Sequence, residues 1–440
     1  MPQSYSWLTF GSAKQELALR LGDTQMVRWT DAELGAWLTE SLRVWNCLTA
    51  YWAAPYTFTY PSPAANWVAS NGAGSPRQQT LTDTDVYTLI EYHLLEPPTG
   101  ASWTGTNQYS ITDLSQGCSR RRNEILQAAS CNMVEQVISL VPNTYVAQMT
   151  DLALDVRRCR WVPAVNQGAP VTLQRGDTRS FQYFTPSFPQ NRRRPLRWDV
   201  IGSPPEQITL DTQVPVPSTL QVLEVQGGQD FNPPGGLPLL IPDDWMWVLK
   251  FGAMADILSK EQEGKDIQRA EYCRKRYTEG LKLMVEMPWL LQGFVDGVAV
   301  DTQAVAGADR FNYEWQSRST AFPEIVVGGI DLFALSPTPT GTTSVSMTLV
   351  GNAPIPANNA AFIEVARDVM DAILDESQHL ALFHMGGQEF VASIDLHKSF
   401  VQAAGRQNSR LLESGILPLM LRPTVSRQDG QQPRFALQEK

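Results

Sequence analysis

An α+β fold is predicted, a helical bundle with an inserted small β-sandwich or barrel, followed by a second β plus helical-hairpin region. Three observations predict it. Apolar residues recur at steps of three and four in two separate blocks, before residue 141 and between Pro242 and Met287. The stretch between those blocks, 142–236, changes to short apolar runs broken by Pro, Gly, Asn and Asp. A β-like stretch and then helical stripes recur after residue 293. The expected divisions are therefore 1–141 with 237–292 as the bundle, 142–236 as the insertion, 293–415 as the second region, and 416–440 as an extended C-terminal arm.

The bundle is organised around Pro242–Met287. Pro242 suits a first helical position, Asp243 and Asp244 an acidic first turn, and Trp245, Val248, Leu249, Met254, Ala255 and Leu258 one buried face. After a break near Gly264, Ile267, Ala270, Cys273, Tyr277, Leu281 and Met284 form a second stripe. Two helices on a short link predict an antiparallel hairpin, which must dock on helices upstream to cover both stripes.

In chain order, Ser12–Leu21 reads as a short helix with a Ser12/Gln15 capping box and a stop at Gly22. Thr30 and Glu33 repeat the box, opening a helix with Leu34, Leu38, Leu42, Trp45, Leu48 and Trp52 on one face, ended by Ala54-Pro55. Tyr56–Tyr60 is a strand or extended arm, and Ala69–Arg77 a loop. A helix over Asp83–Leu95 stops at Pro97-Pro98. Another is expected from Ile111 through Leu114, Cys118, Ile125, Ala129, Met133, Val137 and Leu140 to Pro142.

Strands follow over 145–149, 152–162, 171–173, 180–184, 208–210 and 219–225. Residues 320–350 are again β-like, with Val345, Met347 and Leu349 alternating against Ser344, Ser346 and Thr348. Phe362, Val365, Val369 and Ile373 predict one helix. Phe390, Ile394, His397 and Val401 open another reaching toward Leu412, with Gly386-Gly387 between them. Pro418–Lys440 is a polar arm that orders against a partner.

A chain of 440 residues suggests roughly two or three domains. A formal charge of −10 argues against a general DNA-coating protein, though not against one that lets DNA slide past. The five cysteines show no paired spacing and fall mostly on apolar stripes, so they are expected as reduced core residues. No export signal or membrane span is expected.

Chemistry-bearing motifs are sparse. His93 and His397 fall on apolar stripes and read as core histidines. His379 and His384, five apart beside Asp375 and Glu376, lack the three-or-four spacing of metal ligands on a helix, so no metal, cofactor or catalytic residue is assigned. Val326-Val327-Gly328-Gly329-Ile330 reads as a strand turn or bulge, not a phosphate loop, and Asp243-Asp244 as helix-dipole acids. Three basic clusters remain: Arg120–Arg122, Arg157 and Arg158 with Arg160, and Arg192, Arg193 and Arg194. Solvated faces or loops explain all three equally well; the sharper reading makes Arg157, Arg158, Arg192, Arg193 and Arg194, with Pro418, Arg422 and Arg427 of the arm, the candidate partner interface, an electrostatic seat for an acidic protein. A backbone contact to nucleic acid from Arg192–Arg194 is the lesser reading.

Leu17-x-x-Arg20-Leu21-Gly22-Asp23, Trp29–Leu34 and Glu40–Asn46 together resemble the N-terminal region of head-to-tail adaptor (connector, or neck) proteins of tailed bacteriophages. Pro242–Trp245, Phe251–Leu258 and Arg269–Gly280 resemble the later helical hairpin of such proteins. The likeness covers about two thirds of the chain, which is longer than compact adaptors. The resemblance implies a virion structural protein rather than an enzyme, made in the host cytoplasm and built into the phage neck. It implies a homo-oligomeric ring between portal protein and tail or neck proteins, with DNA in transit through an acidic channel. Two alternatives stand beside it: another tail, collar or fibre-attachment protein, and a glycan-binding β-domain presenting Phe181, Tyr183, Phe184 and Trp198.

Overall fold

The computed structural model describes residues 5–60, 67–71, 74–94, 109–164, 167–184, 188, 190–202, 204–232, 235–260, 265–287, 289–295, 298–304, 324–330, 332–336 and 343–408. The protein is mixed α+β, with several helices and a nearly closed barrel-like sheet of seven strands.

Four helices precede the barrel: α1 (Phe10–Arg20), α2 (Asp31–Thr49), α3 (Asp83–His93) and α4 (Ile111–Ala129). The capping box of α2 is present: Thr30 Oγ1 accepts from the Glu33 amide at 3.3 Å and Glu33 Oε2 accepts from the Thr30 amide at 2.8 Å. Leu34, Leu38, Leu42, Trp45 and Leu48 are all buried, as the stripe predicts. The helix stops at Ala50, in left-handed conformation, before the Pro that was expected to end it. In α1 the cap is Thr9, whose hydroxyl accepts from the Ser12 amide at 3.2 Å, so Ser12 lies inside the helix rather than capping it.

The long helix expected through Leu140 ends at Ala129. Ser130 and Asn132 both take positive φ, and Met133–Leu140 forms strand β3 of the barrel. Val134, Val137 and Ile138 are β-branched, and the three-and-four spacing of Met133, Val137 and Leu140 that suggested a helix is a coincidence of a strand buried unevenly on both sides.

The rest of the barrel is β4 (Val146–Gln148), β5 (Ala153–Pro163), β6 (Val171–Arg175), β7 (Arg197–Ile201), β8 (Gln207–Leu210) and β9 (Ser218–Gln226), in the order β3-β9-β5-β6-β7-β8-β4. All neighbours run antiparallel except β6 and β7. The end strands β3 and β4 approach each other, which leaves the barrel nearly closed. It has its own core, including Cys159, Trp161, Leu173, Trp198, Leu210 and Val222. Where a strand was expected at 180–184 there is a short helix, α5 (Thr178–Phe184). Its start is held by a residue distant in sequence: Asp199 Oδ2 accepts from the Thr178 amide at 2.7 Å and from its hydroxyl at 2.6 Å.

The chain then returns to the bundle through a 3-10 turn (Asp243–Trp245), α6 (Met246–Leu258) and α7 (Ile267–Glu286). Pro242 therefore stands one step before the turn rather than at a first α-helical position. Every residue of α6 except Asp256 is buried, so it is a central helix covered all round, not one with a single buried face. Helix α7 lies unusually close to it. A Cβ at Gly280 would come within 2.6 Å of Val248 Cγ2, and one at Gly252 within 2.8 Å of Tyr277 Cδ2.

A second seven-stranded sheet has the order β1-β14-β10-β11-β12-β13-β2. Strand β1 (Ala53–Tyr60), which comes between α2 and α3, pairs along its whole length with β14 (Thr343–Val350), from Ala53 opposite Val350 to Tyr60 opposite Thr343. The other strands are β2 (Val68–Ala69), β10 (Leu290–Val295), β11 (Val298–Ala304), β12 (Glu324–Gly328) and β13 (Leu332–Ser336). Val345, Met347 and Leu349 face its core with Trp289, Ile325 and Phe333. Trp67, Leu223, Leu332 and Ala334 make a small apolar junction between the two sheets.

The last helices, α8 (Arg367–Met385) and α9 (Gly387–Gln407), pack into the same core as α1–α4, α6 and α7. Phe362 and Val365 lie in the extended segment before α8 rather than within it. The described part of 293–415 is thus shared between the second sheet and the helical body, not built as a unit of its own. The reason is packing: α8 and α9 lie along α2, Phe383 meets Phe251 of α6, and Phe383 and Phe390 meet Tyr272 of α7.

Candidate interaction surface

The expected arginine clusters separate into arginines used up inside the protein and arginines presented to solvent. Arg121 and Arg120 both close on Asp256 of α6, at 2.5 Å and 2.6 Å, and Arg121 also on Glu124 at 2.7 Å. Arg122 is fully buried. Its guanidinium donates to the carbonyls of Gly228 and Gln229 at 2.9 Å and 3.0 Å and lies 4.2 Å from the centre of the Phe231 ring. This arginine ties α4 to the strand that leaves the barrel.

Arg158 is buried and Arg157 half-buried, and both guanidiniums are engaged within the protein. Arg157 pairs with Asp155 at 2.9 Å and donates to the carbonyl of Gln127. Arg158 is 3% exposed and donates to Thr172 Oγ1 at 3.0 Å. The register of β5 against β9 shifts between Val156 and Arg158, so that Val156 and Cys159 both face the barrel core and Arg158 meets Thr172 on the opposite face of the sheet. Charge alone does not reveal that a strand lies in the middle of a sheet.

Arg192, Arg193 and Arg194 are exposed. The loop that carries them is tied down at its base: the Asn191 carbonyl accepts from the Gln213 amide at 3.0 Å and from the Thr212 hydroxyl, and Asp211 accepts from the Leu196 amide at 3.1 Å. Arg193 stands 3.6 Å from Asp211. The fold brings further exposed arginines to the same part of the barrel. Arg175 and Arg197 lie on the paired strands β6 and β7, where Gln174 is opposite Arg197 and Arg175 opposite Trp198, and Arg179 lies on α5. The Arg175 guanidinium lies 5.5 Å from the Trp198 ring centre. A charge count over 175–197, six arginines against one aspartate, would have found this face; the search for adjacent triplets did not. Pro418, Arg422 and Arg427 lie outside the described residues.

Two of the aromatics offered as sugar platforms are turned away from solvent. Phe181 and Trp198 are buried, and the Trp198 indole donates to the Leu173 carbonyl at 3.2 Å. The side chains of Tyr183 and Phe184 are outside the described set.

The four histidines belong to the helical core. Central burial of α6 forces Lys250 inside, where its ammonium meets Glu40 and, at 3.2 Å, His93 Nε2. His93 Nδ1 donates to the Leu89 carbonyl at 2.8 Å, so the ring is neutral, and burial and Lys250 hold its pKa well below the usual range. Nearby, Arg276 reaches Glu376 at 3.1 Å and His397 Nε2 at 2.7 Å, while His397 Nδ1 donates to Glu376 at 2.6 Å. Burial pushes the Glu376 carboxyl up, but His397 and Arg276 outweigh it and hold it at about 2. His379 accepts from the Tyr272 hydroxyl at 2.6 Å and donates to Ser393; burial lowers its pKa to about 3. His384 donates to the Tyr92 carbonyl at 2.6 Å. Asp375 pairs with Arg20 at 3.0 Å instead of joining these histidines.

Asp243 and Asp244 do more than complement a helix dipole. Asp243 accepts from the amides of Thr80 and Leu81, and Asp244 from Asn46 of α2 at 2.6 Å and the Ala353 amide at 2.9 Å. They clamp three distant segments onto the start of α6. All five cysteines are buried with free thiols. Among the described residues no group of three His, Cys, Asp or Glu side chains is placed to hold a metal ion, and no helix is long and apolar enough to cross a membrane.

Compared with known proteins, the chain matches no family model and no curated relative.

Proposed function

We propose that this protein is a structural component of a tailed-phage neck, which assembles into a homo-oligomeric ring between portal and tail proteins and lets DNA pass. The observation that carries this reading is where the adaptor-like segments lie. Leu17–Asp23, Trp29–Leu34, Glu40–Asn46, Pro242–Leu258 and Arg269–Gly280 are far apart in sequence, yet they fall on or beside α1, α2, α6 and α7, which share one core. Beside that body stand two sheets, each with a hydrophobic cluster of its own, which offer further surfaces for neighbouring proteins.

The buried polar groups support a structural role. The histidines, Lys250, Glu40, Arg276 and Glu376 are engaged with one another or with backbone, and these contacts tie the core helices together, although Glu40 Oε2 and Arg276 Nε have no hydrogen-bond partner among the described residues. Electron microscopy of the purified chain in negative stain tests the reading. Annular particles with a central channel are expected, and uniformly small single-chain particles at every concentration would contradict it.

A further inference from the structure

We infer that the arginine face of the barrel, formed by Arg179, Arg192, Arg193, Arg194 and Arg197, binds the phosphate backbone of nucleic acid without regard to sequence. This goes beyond the neck reading and does not depend on ring formation.

The chain as a whole carries −10, so the face is not a by-product of general basicity. Between residues 175 and 197 there are six arginines and one aspartate, a net of +5. The nearby acids of the barrel are already occupied: Asp199 accepts from Thr178, and Asp211 from the Leu196 amide beside Arg193. Their carboxylates hold the scaffold and leave most of the guanidinium charge facing solvent. Three segments contribute: the start of α5, the loop 190–196, and the start of β7. The charges are therefore spread over a surface rather than strung on one loop.

The make-up of the face separates a nucleic-acid partner from a protein one. Protein interfaces concentrate apolar and aromatic groups at a centre depleted of charge. Here the exposed groups are mainly guanidiniums, with Leu196 and Ile201 the large apolar side chains exposed along these segments in the described residues, while Phe181 and Trp198 are buried. A surface dominated by charge suits phosphates, whose binding is driven by release of counterions from the backbone. Arginine is suited to that ligand, because its planar fork meets two phosphate oxygens at once.

The test uses the full chain, fluorescently labelled DNA duplexes of two unrelated sequences, and polyglutamate as the competing polyanion. Binding is measured by anisotropy at several salt concentrations. Both duplexes should bind alike, with log K falling against log salt at a slope of up to about −5, given about −0.9 per phosphate contacted. Arg192/Arg193/Arg194→Ala should weaken binding at least about tenfold and flatten the slope by about 2 to 3, and Arg179/Arg197→Ala should flatten it by up to about 2. Arg192/Arg193/Arg194→Lys should restore most of the affinity, and unchanged thermal midpoints show that the variants fold. The inference is overturned by absence of DNA binding at 50 mM salt, by binding that the alanine variants leave intact, or by binding of polyglutamate in preference to DNA, which marks a seat for an acidic protein.

Discussion

Arg276 of α7 and Glu376 of α8 meet at 3.1 Å with side chains 6% and 0% exposed, joining the hairpin around α6 to the last two helices of the chain. Arg276 also lies 5.1 Å from the centre of the Trp247 ring, so the pair is held between helices rather than at an edge. Removing one partner of such a pair leaves a buried charge uncompensated. Glu376→Leu and Arg276→Met should therefore each cost about 3 to 5 kcal/mol of unfolding free energy, and the double change Arg276→Met/Glu376→Leu clearly less than the two single costs together. Urea denaturation of the four proteins checks this. Single-variant losses under about 1 kcal/mol would mean that the pair is solvated in solution.

The close approach of α6 and α7 rests on Gly280. Alanine is the better helix former, yet a methyl group there would sit 2.6 Å from Val248 and 2.8 Å from Trp247. Gly280→Ala is expected to lower stability by about 1 to 3 kcal/mol through overpacking, read as a lower urea midpoint. A neutral or raised midpoint would show that the two helices can separate freely.

Protonation of the core histidines sets the acid limit. His379 has its pKa pushed from 6.5 to about 3 by burial, and His93, His384 and His397 shift the same way. Below 6.5 the unfolded chain takes up protons that these rings refuse, so their contribution is complete above that pH and is lost as pH falls toward 3. At pH 5, His379 alone should account for about 2 kcal/mol of the loss. His379→Gln should flatten the dependence of stability on pH between 6.5 and 5; an unchanged slope would contradict the placement of this ring.

Asp244 works in the opposite direction. Burial raises its pKa from 3.8 to about 6, so the folded protein keeps a proton that the unfolded chain releases, and stability from this group falls as pH rises through that window. Asp244→Asn removes the titration while keeping an acceptor for the Ala353 amide. Relative to the parent, the variant should therefore gain stability between pH 4 and 6.5, by about 2 to 3 kcal/mol at most. A relative loss over the same range would reverse the assignment.

The two classes of arginine predict two kinds of variant. Arg192/Arg193/Arg194→Ala changes exposed side chains and should leave stability within about 0.5 kcal/mol. Arg158→Ala empties a buried position and abandons Thr172, and should cost about 1 to 3 kcal/mol. Parallel thermal melts separate them; equal losses would contradict the placement of one cluster or the other.

Local signals made much of the fold legible. The α2 cap at Thr30 and Glu33, the stripe from Leu34 to Leu48, the alternation of Val345, Met347 and Leu349, and most barrel strands follow from spacing and side-chain chemistry within a few residues. What was not legible depends on distant partners. Asp199 converts an expected strand at Ser180 into a helix, Ser130 and Asn132 turn a continuing apolar stripe into β3, and β1 finds its partner nearly three hundred residues away in β14. The same holds for the candidate site. Arg192–Arg194 was visible as a run, whereas Arg179 and Arg197 join it through α5 and β7, and Arg158 is withdrawn from solvent because β5 is an inner strand.

The central claim, that the chain works as one copy among several in a ring, is tested most directly by the mass of the purified protein over a range of concentration, measured by mass photometry. The account predicts a discrete multimer that is a fixed multiple of the 49.0 kDa chain. A single species at the mass of one chain, at every concentration and salt tried, would contradict it.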